Sequence, residues 1–194
     1  MVIGSNESLG SWQASRIVRN MIPLLIVLSM IVLVAGITLE DARALLAEYG
    51  ILAVMVPTMI ASGGNLGAIL SARLSTRFHL GLTELRIRDR TLWANVAAIF
   101  ALGLTIFTIL AVGAYGIAVL SGDPAVTLRE LLTISLVSGV AIVSIAVALS
   151  FAATWTSYRF GIDPDNVTIP IVTNVVDVFG MIIFIAVAST VLGF

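Results

Sequence analysis

Long charge-free runs constrain this chain more than any other feature of its sequence. Each run reaches the roughly 20 apolar residues that carry a helix across a bilayer. Of the residues, 59% are hydrophobic and 11% charged, whereas about a quarter are charged in a soluble domain. The sequence therefore predicts an all-α integral membrane protein with five transmembrane helices. The predicted spans are Asn20–Leu39, a run that begins near Ile51, Leu92–Gly122, Leu131–Tyr158 and Ile169–Leu192.

The arginines predict how these spans are oriented. A cytoplasmic N-terminus places Arg16, Arg19, Arg159 and the five arginines of residues 73–90 inside, and only Arg43 and Arg129 outside. This distribution satisfies the positive-inside rule and predicts an outside C-terminus. We expect residues 1–15 to form a cytoplasmic tail and residues 16–194 one five-helix membrane domain. The net charge of −1 predicts no nucleic-acid partner.

The fifth span carries a charge. From Asn166 to Phe194, Asp177 is the only charged residue, and an ionised carboxylate within a span costs at least about 2.5 kcal/mol. Helical spacing places Thr173 one turn and Asn174 three residues before it, on one stripe with Pro170. One carboxylate with amide and hydroxyl groups suits hydrated Mg²⁺. A structural aspartate bonded to a neighbouring helix is the alternative.

The second span combines Pro57 with Ser62-Gly-Gly-Asn-Leu-Gly67. Because Pro57 lacks a backbone donor and Gly63-Gly64 is a poor helical pair, we expect partly free carbonyls over residues 53–64. Together with the Asn65 side chain, these would line a cation path. Alternatively, Gly63 and Gly67 form a packing face for another helix. Packing alone does not explain Asn65 at mid-span.

Two further acidic residues, Asp163 and Asp165, precede the fifth span. They would concentrate cations at the cytoplasmic mouth of a path, or they belong to an ordinary solvated turn that begins at Asp163-Pro164. The chain contains no cysteine, which excludes disulfides, thiolate nucleophiles and soft-metal sites. No catalytic motif is present either, so we do not expect an enzyme.

These motifs resemble the MgtE-type magnesium transporter family. Pro57-Thr-Met-Ile-Ala-Ser-Gly-Gly-Asn-Leu-Gly67 is similar to its second-helix motif. Ala72-Arg-Leu-Ser-Thr76 with Gly81, and Asp163-Pro-Asp-Asn-Val-x-x-Pro170 followed by Asp177, are similar to the animal solute-carrier branch. Bacterial members follow the last motif glycine with Ser/Thr-Gln, where this chain has Ala68-Ile69, so ion selectivity does not carry over.

The resemblance implies a cation path lined by the second and fifth helices of two five-helix units. Asp177 would be the central ion ligand, and Asn65 with the adjacent Gly64 would belong to the second-helix lining. The expected cargo is Mg²⁺, with Mn²⁺ as a competitor. The expected partner is an identical or similar unit, in the plasma membrane. Sodium-coupled Mg²⁺ exchange and a non-transporting membrane assembly subunit are the alternative functions.

Overall fold

The computed structural model describes residues 14–80, 89–122, 125–161 and 164–194. All regular structure within these ranges is helical, without a strand. The helices are α1 (Ala14–Asp41), α2 (Arg43–Glu48), α3 (Gly50–His79), α4 (Arg90–Leu120), α5 (Leu128–Arg159) and α6 (Pro164–Leu192). All except α2 are long and apolar enough to cross a membrane, which confirms the predicted all-α fold with five spans. The orientation of the termini stays a prediction.

The connector between the first two spans contains α2, a short helix. Residues 73–79 continue α3, and residues 81–88 lie outside the described residues. The fifth spanning helix begins at Pro164, five residues before the predicted start at Ile169. Proline is favourable there, because its fixed φ suits the first helical turn and its missing N–H would have no helical partner.

A polar clamp joins the end of α3 to the start of α4. Asp89 caps α4, with one carboxylate oxygen accepting from the Thr91 backbone N–H at 2.8 Å, and its other oxygen pairs with Arg77. The bond from Thr91 and the nearby Arg77 charge hold the pKa of Asp89 below its usual value. Arg73 also donates to Asn95 at 3.0 Å. These contacts fix α3 relative to α4 at the end that the arginines predict to be cytoplasmic.

The helices α3, α5 and α6 pack against one another, and α4 packs on α3 and α5. Close approach of α4 to α5 depends on Gly139, since Phe107 occupies the space that a side chain there would need. In contrast, α1 packs mainly on α6 and contacts α2. Most of its side chains are exposed, with Leu28 and Ala35 buried. The core therefore consists of four helices, with α1 at its edge.

Candidate cation site

The glycines of the second span have two separate roles. A Cβ atom on Gly63 would collide with Ile142 of α5, and one on Gly67 would lie 2.6 Å from Val172 Cγ1 of α6. Both positions therefore serve helix packing, as the GxxxG interpretation predicted. They allow α3 to sit close to α5 and α6, which brings the segment between them against the polar stripe of α6.

Gly64 faces that stripe. A Cβ atom built there would lie 2.9 Å from Asp177 Oδ1 and 3.7 Å from the Cα atom of Thr173. The carboxylate therefore occupies space that any side chain at position 64 would enter. No described residue donates a hydrogen bond to Asp177 or forms an ion pair with it.

Thr173 and Asn174 lie on the same helix as Asp177, and both are partly buried. The Thr173 hydroxyl donates to the carbonyls of Ile169 and Pro170, at 3.0 and 3.1 Å. The Asn174 side-chain amide donates to the Pro170 carbonyl at 2.8 Å. These bonds use the Thr173 hydroxyl hydrogen and one of the two Asn174 amide hydrogens, and they leave oxygen lone pairs available on both side chains. Hydroxyl and amide oxygens beside a carboxylate form a donor set suited to a hard cation.

Asp177 opens into a groove of about 430 Å³, which we call the inner groove. Its walls come from α1, α2, α3 and α6, and among the described residues that line it Asp177 alone is charged. The other lining residues include Leu39, Ile60, Ala61 and Met181. The carboxylate is therefore accessible from a cavity in an otherwise apolar region of the molecule.

The sequence profile of the MgtE family, described as a divalent cation transporter, matches residues 56–187. The chain belongs to the MgtE family. The matched segment contains both Gly64 and Asp177, the two residues that the structure brings into contact. Members of this family are transporters and not enzymes, in agreement with the absence of a catalytic motif.

Solute carrier family 41 member 3 of the mouse is similar to this MgtE-family chain. The two are 28% identical over 168 residues, which is 80% of this chain and 34% of the mouse protein. The chain thus spans about a third of the length of this relative. The likeness agrees with the resemblance of the motifs to the animal solute-carrier branch.

Within this MgtE-family chain, the predicted site residues do not all come together. Gly64 lies close to Thr173 and Asp177, and Asn174 is on the same stripe of α6. Asn65 is exposed on α3 and has no hydrogen bond to any residue that the structure describes. Asp163 lies outside the described residues. Asp165 belongs to the first turn of α6, and its side chain is outside the described part of the chain.

The predicted irregular backbone in the second span is wrong. Residues 50–79 form a continuous α-helix that includes Pro57 and both glycines of the Gly63-Gly64 pair. Pro57 leaves at most the Ala53 carbonyl without its usual helical donor. Within a bilayer the backbone has no water to bond to, so the intact helix is favoured even over residues with poor helical propensity. The side chains of α6 are therefore the main ligand candidates.

The lining of the inner groove has no sequence signal of its own. Leu39, Leu46 and Met181 are ordinary apolar residues of a span or its connector, and only tertiary packing places them beside Asp177. Within the described residues, no three His, Asp or Glu side chains come together as a metal cluster. Among the described lining residues of the inner groove, Asp177 is thus the single carboxylate.

Proposed function

We propose that this chain carries Mg²⁺ across the membrane and that Asp177 is the central group of the ion path. The observation that carries the proposal is the position of this carboxylate. It lies inside a span, without an ion-pair partner among the described residues, against Gly64 and open to the inner groove. A charge in such a place is stabilised when a cation binds beside it.

The size of the inner groove supports a hydrated ion. Mg²⁺ loses its water reluctantly and keeps octahedral coordination. Six waters at roughly 30 Å³ each occupy about 180 Å³, and the groove measures about 430 Å³. By volume, the inner groove therefore has room for a largely hydrated cation beside Asp177. Oxygen ligands alone predict that Mn²⁺ competes with Mg²⁺ and that Cu⁺ does not.

The path that we propose is shared by two copies of the chain, identical or similar, in the plasma membrane. It is lined by α3 and α6 of both, with the two Asp177 side chains facing each other. Exposed residues Thr58, Ala61 and Asn65 follow one face of α3 at helical spacing and would meet the second copy. Two carboxylates in one site repel, and a divalent cation between them relieves that repulsion.

Replacement of Asp177 tests the proposal. We expect Asp177→Ala and Asp177→Asn to abolish Mg²⁺ uptake into proteoliposomes, because Asn preserves the shape of the side chain but not its charge. Both variants should keep the wild-type elution volume in size-exclusion chromatography. Asn65→Ala should reduce uptake less, since it removes no charge. Thr190→Ala, an exposed position on the same helix, is the matched control and should transport normally.

The outcomes separate the alternative functions. Wild-type uptake by Asp177→Asn would contradict the role of the carboxylate. No uptake by the wild-type chain, with Asp177→Asn disturbing only assembly, would favour a non-transporting subunit. Uptake that requires an opposing sodium gradient would favour sodium-coupled exchange over a channel.

A further inference from the structure

A second cavity continues the inner groove toward the corner between α1 and α2. It measures about 380 Å³ and shares Leu39 and Leu46 with the inner groove. Its remaining lining comes from the last turns of α1 and from α2, with Gly36, Glu40 and Arg43 among it. We call this cavity the vestibule. Because the two cavities share walls, they lie next to each other between the end of α1 and Asp177, and we call the pair the passage.

The passage changes in polarity along its length. Asp177 is the charged group at the inner end, and the middle is apolar, with Leu39, Leu46 and Met181. At the outer end, Arg43 Nη1 lies 3.3 Å from Glu40 Oε1, and both side chains are more than two-thirds exposed. The arginine distribution predicts that this end faces outside the cell.

We propose that this passage is the outer half of the ion path, so that each subunit has its own external entrance along α1. This inference rests on the proposed transport function. The shared segment between two subunits would then begin at the inner groove, where Ala61 meets the second copy, and continue past Asp177 toward the cytoplasmic side. The apolar middle acts as a barrier that must be wetted for an ion to pass.

The charges at the vestibule control access of cations. Arg43 repels an approaching divalent ion, and Glu40 offsets that repulsion while the two are paired. The pair is exposed, so it forms and breaks easily. A unit charge about 8 Å from a divalent cation in water changes its local concentration roughly fivefold. Removing the Arg43 charge should therefore accelerate uptake, and adding a positive charge should slow it.

Cysteine modification tests the route directly, because the chain contains no cysteine of its own. A Cβ atom at Gly36 has no neighbour within 4 Å, so Gly36→Cys fits without repacking. Gly113 of α4 has the same open space, lies roughly two turns before the end of its helix and lines neither cavity. Gly113→Cys is thus the matched control.

We expect a cationic methanethiosulfonate reagent, applied to both faces of proteoliposomes, to slow Mg²⁺ uptake by Gly36→Cys about fivefold at low ionic strength. The anionic reagent should not slow it, and Mg²⁺ should protect the thiol. Gly113→Cys should be unaffected by either reagent. An unreactive Gly36→Cys, or a labelled one with unchanged uptake, would overturn the route. If the cationic reagent slowed uptake by Ala61→Cys but not by Gly36→Cys, ions would reach the inner groove without passing through the vestibule, and the proposed route would be wrong.

A pair of arginine variants provides a test that does not depend on Gly36→Cys folding. Arg43→Gln should raise uptake up to fivefold in low salt, with the gain lost at 1 M salt, where charges are screened within about 3 Å. Arg129→Gln, at the other predicted outer connector, should leave uptake unchanged. Equal effects of both variants would contradict the vestibule. If Asp177→Asn loses uptake and Gly36→Cys does not respond to the reagent, the vestibule proposal alone is wrong. If Asp177→Asn transports normally, the proposed function is wrong as well.

Discussion

At the scale of single residues, two adjacent glycines of α3 have different neighbours. The missing side chain of Gly63 makes room for Ile142, a β-branched residue whose Cγ2 methyl is fixed close to its backbone. The missing side chain of Gly64 makes room for the carboxylate end of Asp177, which can move by side-chain rotation. Substitution by alanine should therefore affect folding at Gly63 and transport at Gly64.

We expect Gly63→Ala to lower the free energy of unfolding by about 1–3 kcal/mol, as overpacking of a dense core does. Gly64→Ala should change stability much less but should strongly reduce Mg²⁺ uptake, because the new methyl group displaces Asp177 Oδ1. Denaturant unfolding in detergent and uptake into proteoliposomes measure the two effects. Equal loss of stability in both variants, with normal uptake by folded Gly64→Ala, would contradict this division.

The sequence was sufficient to select Asp177, since a lone carboxylate in an apolar run is conspicuous without any structure. It also placed Thr173 and Asn174 on the same stripe, because helical geometry alone fixes that relation. The residues alone left open whether the glycines of the second span pack against a helix or line the path, and only the family resemblance assigned Gly64 to the lining. The direct approach of Gly64 to the carboxylate depends on how α3 is rotated against α5 and α6, which no local pattern specifies.

At the scale of elements, a hydroxyl bridge holds α3 to α5. The Ser150 hydroxyl donates to the Gly67 carbonyl at 3.0 Å and accepts from the Ser71 hydroxyl at 3.1 Å. Ser71 and Ser150 are both buried. Nearby, Ser157 of α5 bonds to Thr168 of α6 at 3.2 Å. Such contacts between helices compensate for the weak hydrophobic driving force within a bilayer.

We expect Ser150→Ala to lower the free energy of unfolding by about 0.6 kcal/mol and at most about 1.7, the range of such bonds in membrane proteins. Ser144→Ala is the matched control on the same helix, since Ser144 is exposed and bonds only to its own helix at the Val140 carbonyl. It should be neutral. Urea unfolding in mixed micelles measures both, and equal effects would argue against the bridge.

The continuity of α3 shows where local rules fail for this chain. Pro57 and the glycine pair indicate a broken helix when only propensity is considered. In the structure, Gly63 and Gly67 instead form the surface on which Ile142 and Val172 pack. Packing and the absence of competing water outweigh propensity here, so helix continuity could not be predicted from those residues. The five spans themselves were predictable because they depend only on the length and polarity of each run.

At the scale of the whole molecule, one exposed face of α3 remains to be covered. Ala61 lies near the middle of this face and lines the inner groove. If two chains meet on this face about a two-fold axis, the Ala61 residues of the two chains lie close to each other. This arrangement would also enclose the Asp177 side chains from lipid.

We expect Ala61→Cys to form a cross-linked dimer on mild oxidation in proteoliposomes, because a disulfide requires Cα atoms within about 7 Å. Ala101→Cys is the matched control, an equally small exposed residue near the middle of α4, and should stay monomeric on denaturing gels. Cross-linking of both variants alike would indicate random collision. A transport-active monomer in nanodiscs would contradict the shared path.

The loose attachment of α1 bears on how the protein is made. Helices enter the membrane in the order in which they emerge during synthesis, and α1 contains the most apolar of the five spans. Since few of its side chains are buried against the rest of the molecule, it is stable in lipid before the helices that follow it are made. Asp177 enters on α6, after α3 has been inserted. The order of helices along the chain thus introduces the intramembrane charge only when the helix that accommodates it is already in the bilayer.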